Sequence, residues 1–255
     1  MLEFYDSSPW SLYTQQLRLK PACALSEADI KCLVWGTDAL AYIHFIPTGL
    51  LELHLVVADK DIQQATTEIT ASLPYKICTS IPDAYYEFIF FNPKRPTMFP
   101  HSVHLELTAP EDERDSDDPY MIIIHPQSQL YLDVHDKSRS VSLPPFPDTI
   151  QFPTRTAFID SMIEIILDPP TGQVHSMMKD MLFVWLEYFF VYSLRKEPVL
   201  PNGELEPDCA EVLHSLWPEN QPYFEYCLRN KCYGGERTVY AMRRKEILEK
   251  LGCAL

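Results

Sequence analysis

Glycine is the first residue this chain is short of, with 7 in 255 against 22 prolines. Chain reversals therefore fall largely to proline, and the prolines mark the element boundaries. Positive charge is scarce as well: 21 Lys and Arg face 36 Asp and Glu, a formal net charge of −15. Nonspecific binding to nucleic acid or to an anionic membrane is excluded on that ground, since long-range repulsion opposes it. The deficit is uneven, with 21 acids against 10 bases in residues 1–150 and 15 against 11 in residues 151–255. No apolar run approaches the roughly 20 residues a bilayer span requires; the longest, "MLFVWLEYFFVYSL", is interrupted by Glu187. The start, "MLEFYDSSPW", has neither the basic end nor the apolar core of a secretion signal. Seven cysteines, an odd number at irregular spacings, suit reduced thiols and a cytoplasmic location. Cys227 and Cys232 are five apart with no matching second pair, a poor zinc pattern, so buried free thiols are the default. Nucleophile-elbow, P-loop, dinucleotide and metalloprotease motifs are absent too.

What is present falls into two regimes. In the first, "KCLVWG" reads as a strand, "TDALAYIH" as a helix with Thr37 a plausible N-cap, "FIPTG" as a turn and "LLELHLVVA" as a strand. "DKDIQQATTEITASL" carries Ile62, Ala65 and Ile69 at helical spacing. Short strands follow at "YKICTS", "YYEFIFF", "SVHLELTA", "YMIIIH" and "QLYLDV". The run "EDERDSDD" (Glu111–Asp118) lacks the glycine and spaced ligands of a calcium loop and reads as a solvated acidic loop. "VSLPPFPDTIQFPTR" (Val141–Arg155), with four prolines, marks the change of regime and reads as a linker. Everything after it is helical: "RTAFIDSMIEIIL" has one apolar stripe, and "GQVHSMMKDMLFVWLEYFFVYSLRK" is apolar nearly all round and reads as the central buried helix. Three further helices complete a bundle, the last ending at Gly252. The expected division is residues 1–145 and 146–255.

Chemistry-bearing residues concentrate near the first strands. Glu52 and His54 alternate onto one face of their strand, and His104 and Glu106 onto one face of theirs. If the two strands are neighbours, the four cluster into a two-His, two-carboxylate group fit for a transition metal or for acid–base work. Gly36 and Thr37 form the strand-to-helix turn where a glycine lets backbone approach phosphates. Each residue also has a bland reading. Glu52 fits an exposed strand face, His54 a hydrogen-bonded strand histidine, and the strands need not meet. The basic run with Arg243, Arg244 and Lys245 can take phosphate groups, or form the solvated face of a terminal helix offset by Glu246 and Glu249. Trp35, Tyr42, Trp185 and Tyr188 read as core.

The segment "VWGTDALAYIHFIPTGLLELHLVVAD" resembles the start of the nucleotidyltransferase fold: a hydrophobic residue, Gly, Gly or Ser, about a dozen residues, then two acids one residue apart. It is similar more closely to a group of fungal proteins on that fold, which share the Trp-x-x-Asp-Ala-Leu segment, the proline turn before the acidic strand and a helical C-terminal half. The tail "NQPYFEYCLRNKCYGGERTVYAMRRKEILEKL" fits the same group. The resemblance implies an α+β fold, a nucleotidyltransferase-like mixed sheet with helices followed by a C-terminal α-helical bundle. It also implies a nucleotide or small-molecule ligand in an interdomain cleft and a divalent metal, Mn or Mg. The catalytic set would be Glu52, His54 and Glu106, the metal set Glu52, His54, His104 and Glu106, and the ligand-binding set Gly36, Thr37, Arg243 and Arg244. Three departures stand out, one of them a slightly long gap from Thr37 to Glu52. Thr37 replaces Gly or Ser, and His54 replaces the second acid, where a neutral imidazole suits Mn or Zn better than Mg. The chain is accordingly read as an altered transferase, with two alternatives: an inactive binding or interaction module, or a specialised-metabolism enzyme using the cleft for acid–base chemistry.

Overall fold

Ser11 opens the first helix by accepting the Thr14 amide, and α1 (Leu12–Arg18) passes directly into α2 (Lys20–Glu27), with Pro21 in its first turn. Strand β1 (Cys32–Trp35) is wholly buried and leads through Gly36 into the short α3 (Thr37–Tyr42). There follow β2 (Leu53–Val57), α4 (Ile62–Ser72), β3 (Tyr75–Ile77), β4 (Val103–Leu107), β5 (Met121–Pro126), α5 (Gln127–Leu130), β6 (Ser140–Ser142) and β7 (Ile150–Pro153). The computed structural model describes residues 4–78, 99–170, 172, 176–194, 197–230 and 236–253. The strand expected at "YYEFIFF" lies outside them.

Among the described residues the seven strands form one mixed sheet in the order β3-β4-β5-β2-β1-β7-β6. The β1–β7 and β2–β5 pairs are parallel and the others antiparallel. Central strands β1 and β2 are buried at every residue, which explains their nearly continuous apolar runs: both faces are covered. The fold class expected from the sequence, a mixed α+β sheet followed by helices, is the one observed. Three details differ. "QLYLDV" is not a strand: its first two residues end the helical turn α5, and Tyr131 then takes a left-handed conformation. The proline-rich stretch supplies β6 and β7, so it is part of the sheet. The acidic loop is tied down, because its aspartates meet donors on the first two helices: Tyr13 Oη donates to Asp115 (2.6 Å), Thr14 Oγ1 to Asp117 (2.8 Å) and Lys20 Nζ to Asp118 (2.8 Å).

The chain divides into the units Met1–Pro153 and Thr154–Leu255. The second begins where the Thr154 hydroxyl accepts the Ala157 amide and opens α6 (Arg155–Leu167). It continues with α7 (Ser176–Tyr188), which runs into a π-helical turn at Phe189–Leu194, then α8 (Pro207–Ser215), α9 (Gln221–Asn230) and α10 (Arg237–Leu251), closed by Gly252 at φ 73°. The all-round buried helix is α6, buried at every residue from Ala157 to Leu167. α7 instead exposes Asp180, Val184 and Glu187, three residues at helical spacing that give it a wet face. Among the described residues no helix is long and apolar enough to cross a membrane.

Candidate functional site

The turn after β1 is built around Gly36, whose φ of 73° and ψ of −146° suit a residue without a Cβ. Thr37 behind it is 1% exposed, and its hydroxyl accepts the Leu51 amide at 3.3 Å. Asp38 is fully buried and gripped by Arg18, whose Nε and Nη2 donate to its two oxygens at 2.6 and 2.9 Å. Arg18 Nη2 also donates to the Leu51 carbonyl at 2.6 Å. Both polar groups of the Leu51 backbone are thus held, and they set where Glu52 leaves the bend and β2 begins. Burial pulls the guanidinium of Arg18 down, but the Asp38 charge and hydrogen bonds outweigh it and leave it raised. The Asp of the Trp-x-x-Asp-Ala-Leu segment is therefore a buried anchor for the turn.

The register across the sheet brings His54, His104 and Glu106 to one face. Trp35 on β1, His54 on β2, Ile123 on β5 and His104 on β4 stand level with one another. Directly opposed residues share a face, so His54 and His104 do as well. Glu106 is level with Met121 and shares the face of His104 by alternation along β4. Glu52 lies in the bend just ahead of β2, where no strand pairing fixes its face. Strands β2 and β4 are not neighbours. β5 lies between them, a separation of two strand spacings, or about 10 Å of backbone. Glu106 is engaged by Lys76, its cross-strand partner on β3, at 2.8 Å.

His54 is 3% exposed, and its Nδ1 lies 2.9 Å from Nε2 of the fully buried His125 on β5. The two rings are nearly parallel, 5° apart. The other nitrogen of His125, Nδ1, is 2.8 Å from the Ser102 hydroxyl. Phe99 turns its ring against Trp35, His54 and His125, while its carbonyl accepts from His104 Nε2 at 3.2 Å. Burial, helped by His104 and Arg18, pushes His54 down to about 3. Burial, with His54 and His104 beside it, holds His125 well below the ordinary histidine value. Burial also lowers His104, against the opposing effect of its bond to Phe99. Both rings of the buried pair are neutral at physiological pH. Among the described residues no group of three or more His, Cys, Asp or Glu side chains has the geometry to hold a metal ion. Among the described residues, the side chains present do not fit the divalent centre the family resemblance implies.

The remaining two candidates belong to the helical unit. Arg243 is exposed. Arg244 is buried, pairing with Glu164 and, at 3.2 Å, with Asp168. Asn220 donates its amide to Asp160 (2.9 Å) and Glu164 (3.0 Å), so the polar interior of this unit is an internal network. Burial raises the Glu164 carboxyl in spite of Arg244 and Asn220. Sequence reasoning missed Arg18, Lys76, Ser102 and His125. For His125 a signal existed: in "MIIIH" it sits two residues after Ile123 and shares its face. Arg18, the last residue of an unremarked helix, gave none.

No protein-family model matches the chain, and no curated protein sequence does. Among solved structures, a candidate nucleotidyltransferase from H. pylori is 15% identical, covering 96% of this chain and 98% of that one, with a TM-score of 0.42. JHP933 from Helicobacter pylori is 13% identical over 97% of each chain, with a TM-score of 0.38. Likeness at this level says nothing of what the present chain binds or does.

Proposed function

We propose that this chain is a nucleotidyltransferase-like ligand-binding module for a nucleotide or similar small molecule, without divalent-metal nucleotidyl transfer. Two things support the reading: the sequence resemblance of the Gly36 turn and Glu52 strand, and the fate of the residues that would hold the metal. The carrying observation is the His54–His125 contact, 2.9 Å between ring nitrogens. Where two-metal transfer needs charged oxygen ligands that orient and neutralise a triphosphate, this face has a buried, neutral imidazole pair. Mg keeps hard oxygen ligands and sheds its waters reluctantly, so it gains little there.

The test is titration of the native chain and of His54→Asp with Mg and Mn, alone and with ATP, by calorimetry, with pyrophosphate release followed in parallel. The native chain should bind nucleotide equally in EDTA and in Mg, and should release no pyrophosphate. His54→Asp, which restores the alternating acids of the motif, is where Mg binding should appear. Mg-dependent turnover by the native chain would overturn the reading. So would the absence of binding for all four ribonucleoside triphosphates and their nucleosides.

A further inference from the structure

A hydroxyl on an imidazole that rests on a second imidazole is the connectivity of an activated nucleophile: nucleophile, base, and a group that orients the base. Ser102, His125 and His54 have it, with successive contacts of 2.8 and 2.9 Å. Ser102 is half-buried beside the exposed His101, whereas the two rings behind it are buried. The hydroxyl is therefore the outermost member of the chain and the rings are its support. We propose that Ser102 is a nucleophile for acyl transfer, with His125 as its general base and His54 as the residue that positions His125.

The reading fixes the tautomers. Ser102 donates to Nδ1 of His125, Nε2–H of His125 donates to Nδ1 of His54, and His54 carries its proton on Nε2. Burial keeps both rings neutral, so the His125 lone pair stays available to accept. In the forward step the Ser102 oxygen attacks an acyl carbon while its proton passes to His125 Nδ1. The bond to the leaving oxygen then breaks, and the departing oxygen takes the electron pair and the proton from His125. Water, deprotonated by His125 in the same way, attacks the acyl-serine, releases the carboxylic acid and restores the hydroxyl. No metal or redox partner enters. A base held in an apolar pocket with imidazole rather than carboxylate behind it is weak, and weaker bases give smaller accelerations. The substrates are accordingly esters with good leaving groups. This inference does not rest on the nucleotide-binding reading.

The experiment uses the full chain and an alkyl fluorophosphonate, in which the serine oxygen replaces fluoride on phosphorus. After digestion and mass analysis, the folded chain should carry one adduct, on the peptide containing Ser102, and the chain in urea should carry none. Ser102→Ala should lose the adduct, and His125→Gln should slow its formation at least about a hundredfold. The native chain alone decides the outcome if the histidine variants do not fold. No adduct on Ser102, or an adduct that forms equally well in urea, overturns the proposal.

Discussion

Replacing Arg18 by Met is the sharpest test of how unit 1 is held together. The substitution keeps an unbranched stem of similar volume and removes three contacts: two to the buried Asp38 carboxylate and one to the Leu51 carbonyl. Both partners of the ion pair are almost fully buried, at 5% and 0% side-chain exposure, so solvent does not replace what is lost. Stranding one member of such a pair typically costs about 3–5 kcal/mol, most of it the unpaired charge left behind. In urea, with a slope of about 2 kcal/mol per molar, the midpoint should fall by about 2 M. Asp38→Leu strands the guanidinium instead and should cost a similar amount. The double substitution leaves no buried charge, so its cost should lie well below the sum of the two, a coupling that a double-mutant cycle measures directly. Unfolding is followed by Trp fluorescence, to which the buried Trp35 next to the turn contributes. If Arg18→Met costs less than about 1 kcal/mol, or if the two substitutions simply add, the pair is not the anchor of the Gly36 turn.

Acid should weaken the sheet through the buried imidazoles. His54 and His125 stay neutral in the folded chain down to low pH, whereas the unfolded chain protonates them near 6.5. Below that value the unfolded state binds more protons, so stability falls with falling pH by about 1.4 kcal/mol per unit for each ring. For His54 the loss runs from 6.5 to about 3, and by pH 5 the two rings together should cost about 4 kcal/mol; a double His54→Gln, His125→Gln chain that folds should lack most of this slope in urea melts between pH 5 and 7. Arg244→Met should destabilise the helical unit by about 3 kcal/mol at pH 8 by leaving Glu164 buried without its cation. Because burial already raises that carboxyl, Glu164 can take up a proton instead, so the gap between variant and native chain should narrow toward pH 5; a gap that widens on acidification contradicts the pairing.

The sheet was legible where both of its signals agreed. β1, β2, β4 and β5 follow from apolar or alternating runs bounded by glycine, proline or acidic turns, and Thr154, Pro207 and Gly252 punctuate helices as their chemistry predicts. The hairpin of β6 and β7 was hidden because four prolines in fifteen residues resemble a linker, although proline is tolerated at strand ends and edges. "QLYLDV" alternates like a strand and still runs from the end of α5 into a turn, since six residues carry too little periodic information to outweigh the chain reversal required after β5. For the site, alternation along the strands places His54, His104 and Glu106 on one face, while Glu52 falls in the bend ahead of β2. Strand order decides which of them meet, and a parallel β5 inserted between β2 and β4 is a long-range choice that no local pattern records.

The same insertion determines the character of that face. A strand carrying Met121, Ile123 and His125 between the two acidic strands replaces carboxylate proximity with an apolar and imidazole row. Among the described residues of the first unit, Lys76 is committed to Glu106, Arg18 to Asp38 and Lys20 to Asp118. Each of these pairs would have to be broken before the side chain could neutralise a phosphate, and for Arg18 that means stranding a buried carboxylate. The nucleotide or similar molecule proposed as ligand would therefore be met at this sheet face by neutral donors and acceptors, rings and hydroxyls, and its binding should vary little with ionic strength. The chain's excess of negative charge leads the same way, because long-range repulsion weighs more against a triphosphate than against a nucleoside or monophosphate.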